Sequence, residues 1–396
     1  MVNMASFSDD QRGICSHAEY CGGCGFQGIG YGEQLRIKDE TVRKLLENKG
    51  IDCGEYPGII GSPCVYAYRN KMEYTFGDLV KGGSMTLGMH LRGRFMSVVT
   101  VDKCQIVDQD FNDILAATLA FCAEKGYAPY NKKARAGYLR NLIIRKGVRT
   151  KELLINIVTT SQGRLDESGY IDRLLKLNLN NDIVGIINTM NDGIADVVHC
   201  DELNVLWGRG YYTERIMDID FKVGAFSFFQ TNVDAVERMY SDAVSMIEPA
   251  HCKTAFDLYC GTGTISQALA KKAAKVIGVE LQREAVDAAR ENAESNGIGN
   301  CEFIAGDVLD VMEKIKDEPD VIVLDPPRAG VHPKALERIA KTGAGQIVYI
   351  SCNPQTFAEN LNYLQISGYR PEKIRAYDNF PFTRHCECVA SLKRER

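Results

Sequence analysis

A thiol at the end of an apolar run is the first residue here whose type and place could do chemistry. The run QIVYIS, Gln346–Ser351, is followed at once by Cys352, and then by Asn353 and Pro354. A free cysteine is ordinarily a small core hydrophobe, and with fourteen in the chain most must be. Cys352 differs in lying at the carboxyl end of a strand, where α/β sheets open their ligand crevices. A thiol is needed in such a place to methylate C5 of a pyrimidine. That carbon is a poor nucleophile until a thiolate adds to C6 and makes an enolate. The adduct must then lose its C5 proton to a base. FPFTRHCECVASL, near the C-terminus, offers Glu387. Strand alternation there places Thr383, His385, Glu387 and Val389 on one face, with His385 as a neighbour that orients the carboxylate.

A methyl donor is implied by DLYCGTGTISQALA, Asp257–Ala270. A strand runs into a glycine loop and then a helix, and Gly261 and Gly263 let a ligand approach the backbone. A nicotinamide site would read similarly, but its third glycine is replaced by Ser266, and Asp257 sets a carboxylate where a pyrophosphate would lie. The sulfonium of S-adenosylmethionine tolerates that charge. Glu280, at the end of the next strand, is placed to accept both ribose hydroxyls. DVIVLDPPRAG adds Asp325 at a stiff, proline-lined lip; Arg328, where amino-directed methyltransferases carry an aromatic residue, disfavours that reaction.

A second cysteine group has a different character. Cys15, Cys21 and Cys24 stand at C-x5-C-x2-C, with Cys104 of VDKCQIV as the natural fourth. Four thiolates suit zinc or an iron–sulfur cluster, and the spacing leaves both open.

The elements that must position these residues fall into two sets. YGEQLRIKDETVRKLLENKG reads as a helix with Leu35, Val42, Leu45 and Leu46 on one face and Gly50 as its stop. Short antiparallel strands are expected over 65–101, a helix near 108–125, and mixed strands to about 225. From 226 the order becomes strand, loop, helix, repeated through TAFDLY, KVIGVE, CEFIAG, DVIVLD and QIVYIS, the mark of a parallel sheet with helices on both faces. The expected division is an α+β domain over 1–225 and an α/β, Rossmann-like domain over 226–396.

With 396 residues, 45% of them hydrophobic, 25% charged and a net charge of −5, the chain reads as an ordinary globular protein. The opening MVNMASFSDDQRG lacks the apolar core of a leader, and no run is long enough to span a membrane. A cytoplasmic protein with reduced thiols is expected. The overall charge hides a local field: nine Lys or Arg and no Asp or Glu lie between Lys125 and Lys151. That stretch is either a solvated face or a strip that tracks phosphates through Arg140, Arg145 and Lys146.

Together CGGC, YGEQLRIK, YRNKMEY, SFFQTN, LYCGTGT, DPPRAG, SCNP and FPFTRHCE, in this order from Cys15 to Leu392, resemble the RNA uracil-5 methyltransferase family, in its iron–sulfur, ribosomal-RNA branch. The resemblance implies a class I methyltransferase domain with Cys352 as nucleophile and Glu387 as base. It implies a [4Fe–4S] cluster on Cys15, Cys21, Cys24 and Cys104. It also implies an S-adenosyl-L-methionine site lined by Gln230, Tyr259, Thr264, Glu280, Asp307 and Asp325. RNA, and 23S rRNA in particular, is the implied partner, for a monomer that engages neither DNA nor membranes; a tRNA uridine is the alternative substrate. Two departures stand out. Only fourteen residues precede Cys15, where many relatives carry a small RNA-binding (TRAM) barrel. Phe382 replaces a residue that is usually polar, which is expected to change contacts beside the base.

Overall fold

The computed structural model describes residues 13–194, 200–248 and 252–395; most of the opening stretch read above for a leader lies outside them. Helix α1 (Tyr31–Asn48) and the two-residue strand β1 (Ile59–Ile60) come first, then the antiparallel strands β2 (Lys71–Asp78), β3 (Met85–Leu91) and β4 (Arg94–Thr100). Helix α2 (Gln109–Glu124) leads to β5 (Leu139–Gly147) and β6 (Glu152–Thr159), and α3 (Glu167–Leu175) crosses to β7 (Asp182–Met190) and β8 (Glu202–Gly208). These strands form a sheet in the order β4-β3-β2-β5-β6-β7-β8, antiparallel except for the β6–β7 pair. In its middle, LRNLIIRKG and ELLINIVT are buried almost throughout. Their near-complete burial means the sheet is covered on both faces rather than one, and it takes Arg140, Asn141 and Arg145 inside with the apolar residues.

A hairpin, β9 (Tyr211–Ile216) and β10 (Ile219–Gly224), precedes the strand–helix repeat. That repeat runs α4 (Val233–Ser245), β11 (Cys252–Leu258), α5 (Thr264–Leu269), β12 (Ala273–Glu280), α6 (Arg283–Ser295) and β13 (Cys301–Ala305). It continues with α7 (Val308–Met312), β14 (Val321–Leu324), α8 (Pro333–Lys341), β15 (Gln346–Ser351), α9 (Pro354–Ile366), β16 (Tyr369–Tyr377) and β17 (Glu387–Arg394). The strand order is β1-β16-β17-β15-β14-β11-β12-β13. β11 to β15 are parallel, and β17 is inserted antiparallel between β15 and β16. The order reverses at β11, whose neighbours are β12 and β14, and the crevice of a doubly wound sheet opens at such a point.

The N-terminal segment does not stay with the first sheet. β1 pairs with β16, and Val42, Leu46, Ile51 and Ile59 lie in the core built on the second sheet. Helix α1 has the length expected, and Gly50 follows it with φ +63°, a conformation glycine adopts freely. Its buried line is Gln34, Lys38, Val42 and Leu46, at a strict spacing of four, with Leu35 and Leu45 only half-buried. A polar pair was hidden in that face. Lys38 Nζ lies 2.6 Å from Asp378 Oδ1, both side chains buried, and also donates to the Phe380 carbonyl at 3.1 Å. Lys38 thus ties α1 to the turn that leads into Glu387.

Replacing Lys38 with Met should leave the Asp378 carboxylate buried without its cation. A loss of about 3–5 kcal/mol is expected, read by denaturant unfolding, and Lys38→Met with Asp378→Leu should recover much of it. Equal loss in the single and double variants would reject this account of the pair.

Candidate active site

Four strand ends meet at one edge. In register, Leu258, Leu324 and Tyr349 lie side by side across β11, β14 and β15. Asp325 follows β14 directly, and Cys352 follows β15. Asn353 and Pro354, which cut off the apolar run, are a helix start: Asn353 caps α9 by accepting the Gln355 N–H at 3.1 Å, and Pro354 takes the first helical position. Cys352 is therefore held on a one-residue link between a buried strand and a capped helix.

Glu387 arrives from the other direction. Because β17 is antiparallel to β15, with Ser351 opposite Cys388, one further step of the ladder sets Cys352 opposite Glu387. Burial pushes the Glu387 carboxyl up to about 8, helped by Asp325 and opposed by Arg328. Burial likewise pushes the Cys352 thiol up to about 11, reinforced by Glu387 and Asp325 and opposed by Arg328. Asp325 is half-buried, and desolvation raises it to about 6 against a hydrogen bond from Tyr240. The strand register sets the three groups at the ends of neighbouring strands, where each raises the cost of ionising the others and the exposed Arg328 guanidinium offsets part of it. A carboxyl poised near neutrality is suited to proton transfer.

The expected alternation begins only at Glu387, since residues 381–384 form a turn. His385 consequently does not orient Glu387. Its Nδ1 accepts from Arg328 Nη2 at 2.8 Å, and burial together with Arg328 lowers its basicity, so it positions the guanidinium as a neutral acceptor. Phe382 does not face the crevice either. It is buried against Tyr66, with φ +63°, and its N–H donates to Gln34 Oε1 at 2.8 Å. The departure at this position therefore falls on packing between the two sheets rather than on contacts beside a base.

Gln230 is linked to Asp325 through Tyr240, a residue that no motif marks. Gln230 Nε2 donates to the Tyr240 hydroxyl at 2.9 Å, and that hydroxyl donates to Asp325 Oδ2 at 3.1 Å. Tyr240 reads in sequence as one more apolar residue on the buried face of α4. The glycine loop carries its own constraints. Tyr259 has φ +70°, Gly261 +53° and Gly263 +80°, and such a conformation in a tyrosine marks strain held by its surroundings. A Cβ on Gly263 would meet the Phe303 ring at 2.9 Å, whereas one on Gly261 would meet nothing, because that side of the loop is open. Glu280 accepts from the Gly261 N–H at 3.1 Å and the Gln282 N–H at 2.9 Å. Asp307 caps α7, and Thr264 opens α5.

Asp257 has a different part from the one expected. It is fully buried beneath the loop, Oδ2 accepts from Ser266 Oγ at 2.5 Å, and desolvation raises it to about 7. It latches α5 to β11 and does not face a ligand. Arg145 is also buried, and Arg140 is nearly so, donating to the carbonyls of Asn191 and Gly193; Lys146 is paired with Asp108. These cations sit on the central strand β5, so they are not the phosphate strip that their density in sequence suggested.

Residues 214–395 match the sequence model of the tRNA (Uracil-5-)-methyltransferase family. A protein of Clostridium tetani named as an uncharacterized RNA methyltransferase is 49% identical over 96% of this chain and 84% of its own length. A protein of the same description from Chlorobaculum tepidum is 34% identical over 96% and 83%. The chain belongs to the RNA uracil-5 methyltransferase family. The crystal structure of Pyrococcus abyssi tRNA (uracil-54, C5)-methyltransferase, in complex with S-adenosyl-L-homocysteine, superimposes with a TM-score of 0.77 at 28% identity, covering 94% of this chain and 86% of that one. The second sheet is accordingly a Rossmann-like methyltransferase fold, and the enzyme is an RNA methyltransferase. Among the described residues no helix is long and apolar enough to cross a membrane.

The N-terminal cysteines come together against the core of the first sheet. Cys15, Cys21, Cys24 and Cys104 line one cavity of about 40 Å³, whose remaining walls include Met72, Met89, Val101 and Ile106. Arg92 braces the loop by donating to the carbonyls of Ala18, Cys21 and Cys24 at 2.9–3.3 Å, and the Gly23 N–H donates to Cys21 Sγ at 3.3 Å. Among the described residues no group of three or more His, Cys, Asp or Glu side chains is arranged to hold a metal ion. A tetrahedral zinc site with bonds of about 2.3 Å requires that arrangement.

Proposed function

We propose that the enzyme methylates C5 of a uridine in 23S rRNA, using S-adenosyl-L-methionine, through a covalent adduct between Cys352 and C6 of the uracil. The observation that carries this reading is the placement of Asp325, Cys352 and Glu387 at the adjoining ends of β14, β15 and β17, beside an open glycine loop. Cys352, as thiolate, adds to C6, and the electron pair moves to O4. C5 then forms its bond to the donor's methyl group as the methyl–sulfur bond breaks, releasing S-adenosyl-L-homocysteine. Glu387 takes the C5 proton, the C5–C6 double bond re-forms and the thiolate leaves. Arg328, held by His385, is the cation that favours the thiolate against burial. Gln230, Tyr259, Thr264, Glu280, Asp307 and Asp325 would hold the donor, with Tyr240 linking Gln230 to Asp325. The uridine must leave its stack to reach the thiol.

The four cysteines would hold a [4Fe–4S] cluster, which supplies cross-linking in this reading and no step of the reaction. The division at 225/226 follows the change in the order of elements along the chain, with 31–60 crossing to the second sheet. A cytoplasmic monomer completes the reading. The likeness to a tRNA (uracil-54, C5)-methyltransferase favours a tRNA uridine as the second substrate. Mapping 5-methyluridine in rRNA and tRNA from a deletion strain decides between them, and loss from neither would reject both.

The buried carboxyls set opposing pH trends. Glu387, Asp257 and Asp325 titrate at about 8, 7 and 6 in the folded enzyme, above their ordinary values. The native state therefore binds more protons than the unfolded chain over the interval up to each folded value, and stability falls as pH rises through it. Product formation moves the other way, rising as Glu387 ionises through about 8, because resolution of the adduct waits on removal of the C5 proton. Melting temperature and single-turnover rate against pH should cross in this sense, and Glu387→Gln should flatten the most alkaline part of the stability curve.

A further inference from the structure

Strand β4 is an edge of the first sheet, and it carries a large ring outside the core. Phe95 is 59% exposed. One face of that ring is stacked on His90, with centroids 4.4 Å apart and planes 19° from parallel. Lys132 Nζ lies over the ring, 5.6 Å from its centroid. Next to Lys132, Arg140 lies over the Tyr130 ring at 4.8 Å. Arg94, Lys133 and Arg135 are exposed in the same hairpin and in the loop over 131–136. Neither 79–101 nor 125–151 contains an Asp or Glu. An exposed aromatic ring, already stacked on one side and bordered by cations, has the composition of a single-strand stacking site.

We infer that the β3–β4 hairpin and the 131–136 loop form a platform for an unpaired segment of the substrate RNA, with a base stacked on Phe95. This rests on the enzyme acting on RNA. Continuity with the crevice favours RNA over a protein as the occupant. The Gly22 N–H donates to the His90 carbonyl at 3.1 Å, Cys21 bridges to Leu91, and Arg92 ties the hairpin to the cysteine loop. From the end of that loop the Phe26 N–H donates to the Phe382 carbonyl at 2.9 Å, five residues before Glu387. The cysteine loop thus bridges the platform and the catalytic turn, and a strand lying on Phe95 is held relative to the base being modified.

The full-length protein should be titrated with a mixed-sequence single-stranded RNA oligonucleotide, and with the same RNA annealed to its complement. Phe95→Ala should bind the single strand about 10-fold more weakly, with an unchanged melting temperature. Phe95→Tyr should bind like the parent, and the duplex should be little affected by either change. Lys133→Ala should reduce the salt slope of single-strand binding by about 0.7. Unchanged affinity in Phe95→Ala, an equal loss on duplex, or no rescue by tyrosine would overturn the platform. Covalent adduct formation by the parent is scored separately. Its absence would sink the reaction assigned to the crevice and leave the platform to stand or fall on the titrations.

Discussion

Glu387→Gln should accumulate a covalent protein–RNA complex that already carries the transferred methyl group, and Cys352→Ala should form no complex at all. The two outcomes follow from where each residue acts. Without the thiol nothing adds to C6, C5 stays a poor nucleophile, and turnover is lost with the adduct. Without the carboxylate, attack and methyl transfer still proceed, but the thiol cannot leave until the C5 proton does. A general base contributes about 10² to 10⁴ in rate, so the complex should survive denaturing electrophoresis and run as protein plus RNA, labelled from the methyl of adenosylmethionine. Glutamine matches glutamate in size, and burial already holds Glu387 at a value of about 8, so a neutral side chain is tolerated at that position. Normal turnover by Glu387→Gln, or an adduct from Cys352→Ala, would show the assigned roles to be wrong.

The sequence disclosed this crevice well because its parts stand at strand ends. Apolar runs of five to eight residues, each stopped by Gly, Asp-Pro or Asn-Pro, mark the carboxyl edge of a parallel sheet without reference to tertiary structure. Cys352, Asp325 and the glycine loop are legible for that reason. What the sequence hid is what packing decides. Lys38 and Gln34 lie on the buried face of a helix whose leucines appeared to define it, because a buried charge can be recognised only once Asp378 is opposite. Tyr240 gains its role from the Gln230 and Asp325 atoms on either side of its hydroxyl. Charge density misled for the same reason: Arg145 and Lys146 fall on the sheet's central strand, where local composition carries no information about exposure. Asp257 is a buried residue of β11 just before the glycine loop, hydrogen-bonded by Ser266, and the pattern of strand, loop and helix does not tell such a carboxylate from one that faces the crevice.

Cys24→Ser should strip the protein of iron and inorganic sulfide, which anaerobic preparations of the parent should contain at about four each per chain, as a [4Fe–4S] group requires. The colour and the visible absorption should go with them. The expectation rests on the four thiols lining one cavity. The expected consequence is mechanical rather than chemical. Cys24 and Cys104 are eighty residues apart in the chain, and a group bound to both closes that loop, so its loss should lower the unfolding temperature through the entropy returned to the unfolded chain. The loop also braces the hairpin that carries Phe95 and, through Phe26 and Phe382, the turn before Glu387. RNA affinity should therefore weaken in Cys24→Ser, while adduct formation at saturating RNA persists. Stoichiometric zinc without sulfide in protein never exposed to air would reject the cluster. Loss of the adduct despite a folded protein and bound RNA would show that the cysteine group reaches further into the reaction than a brace.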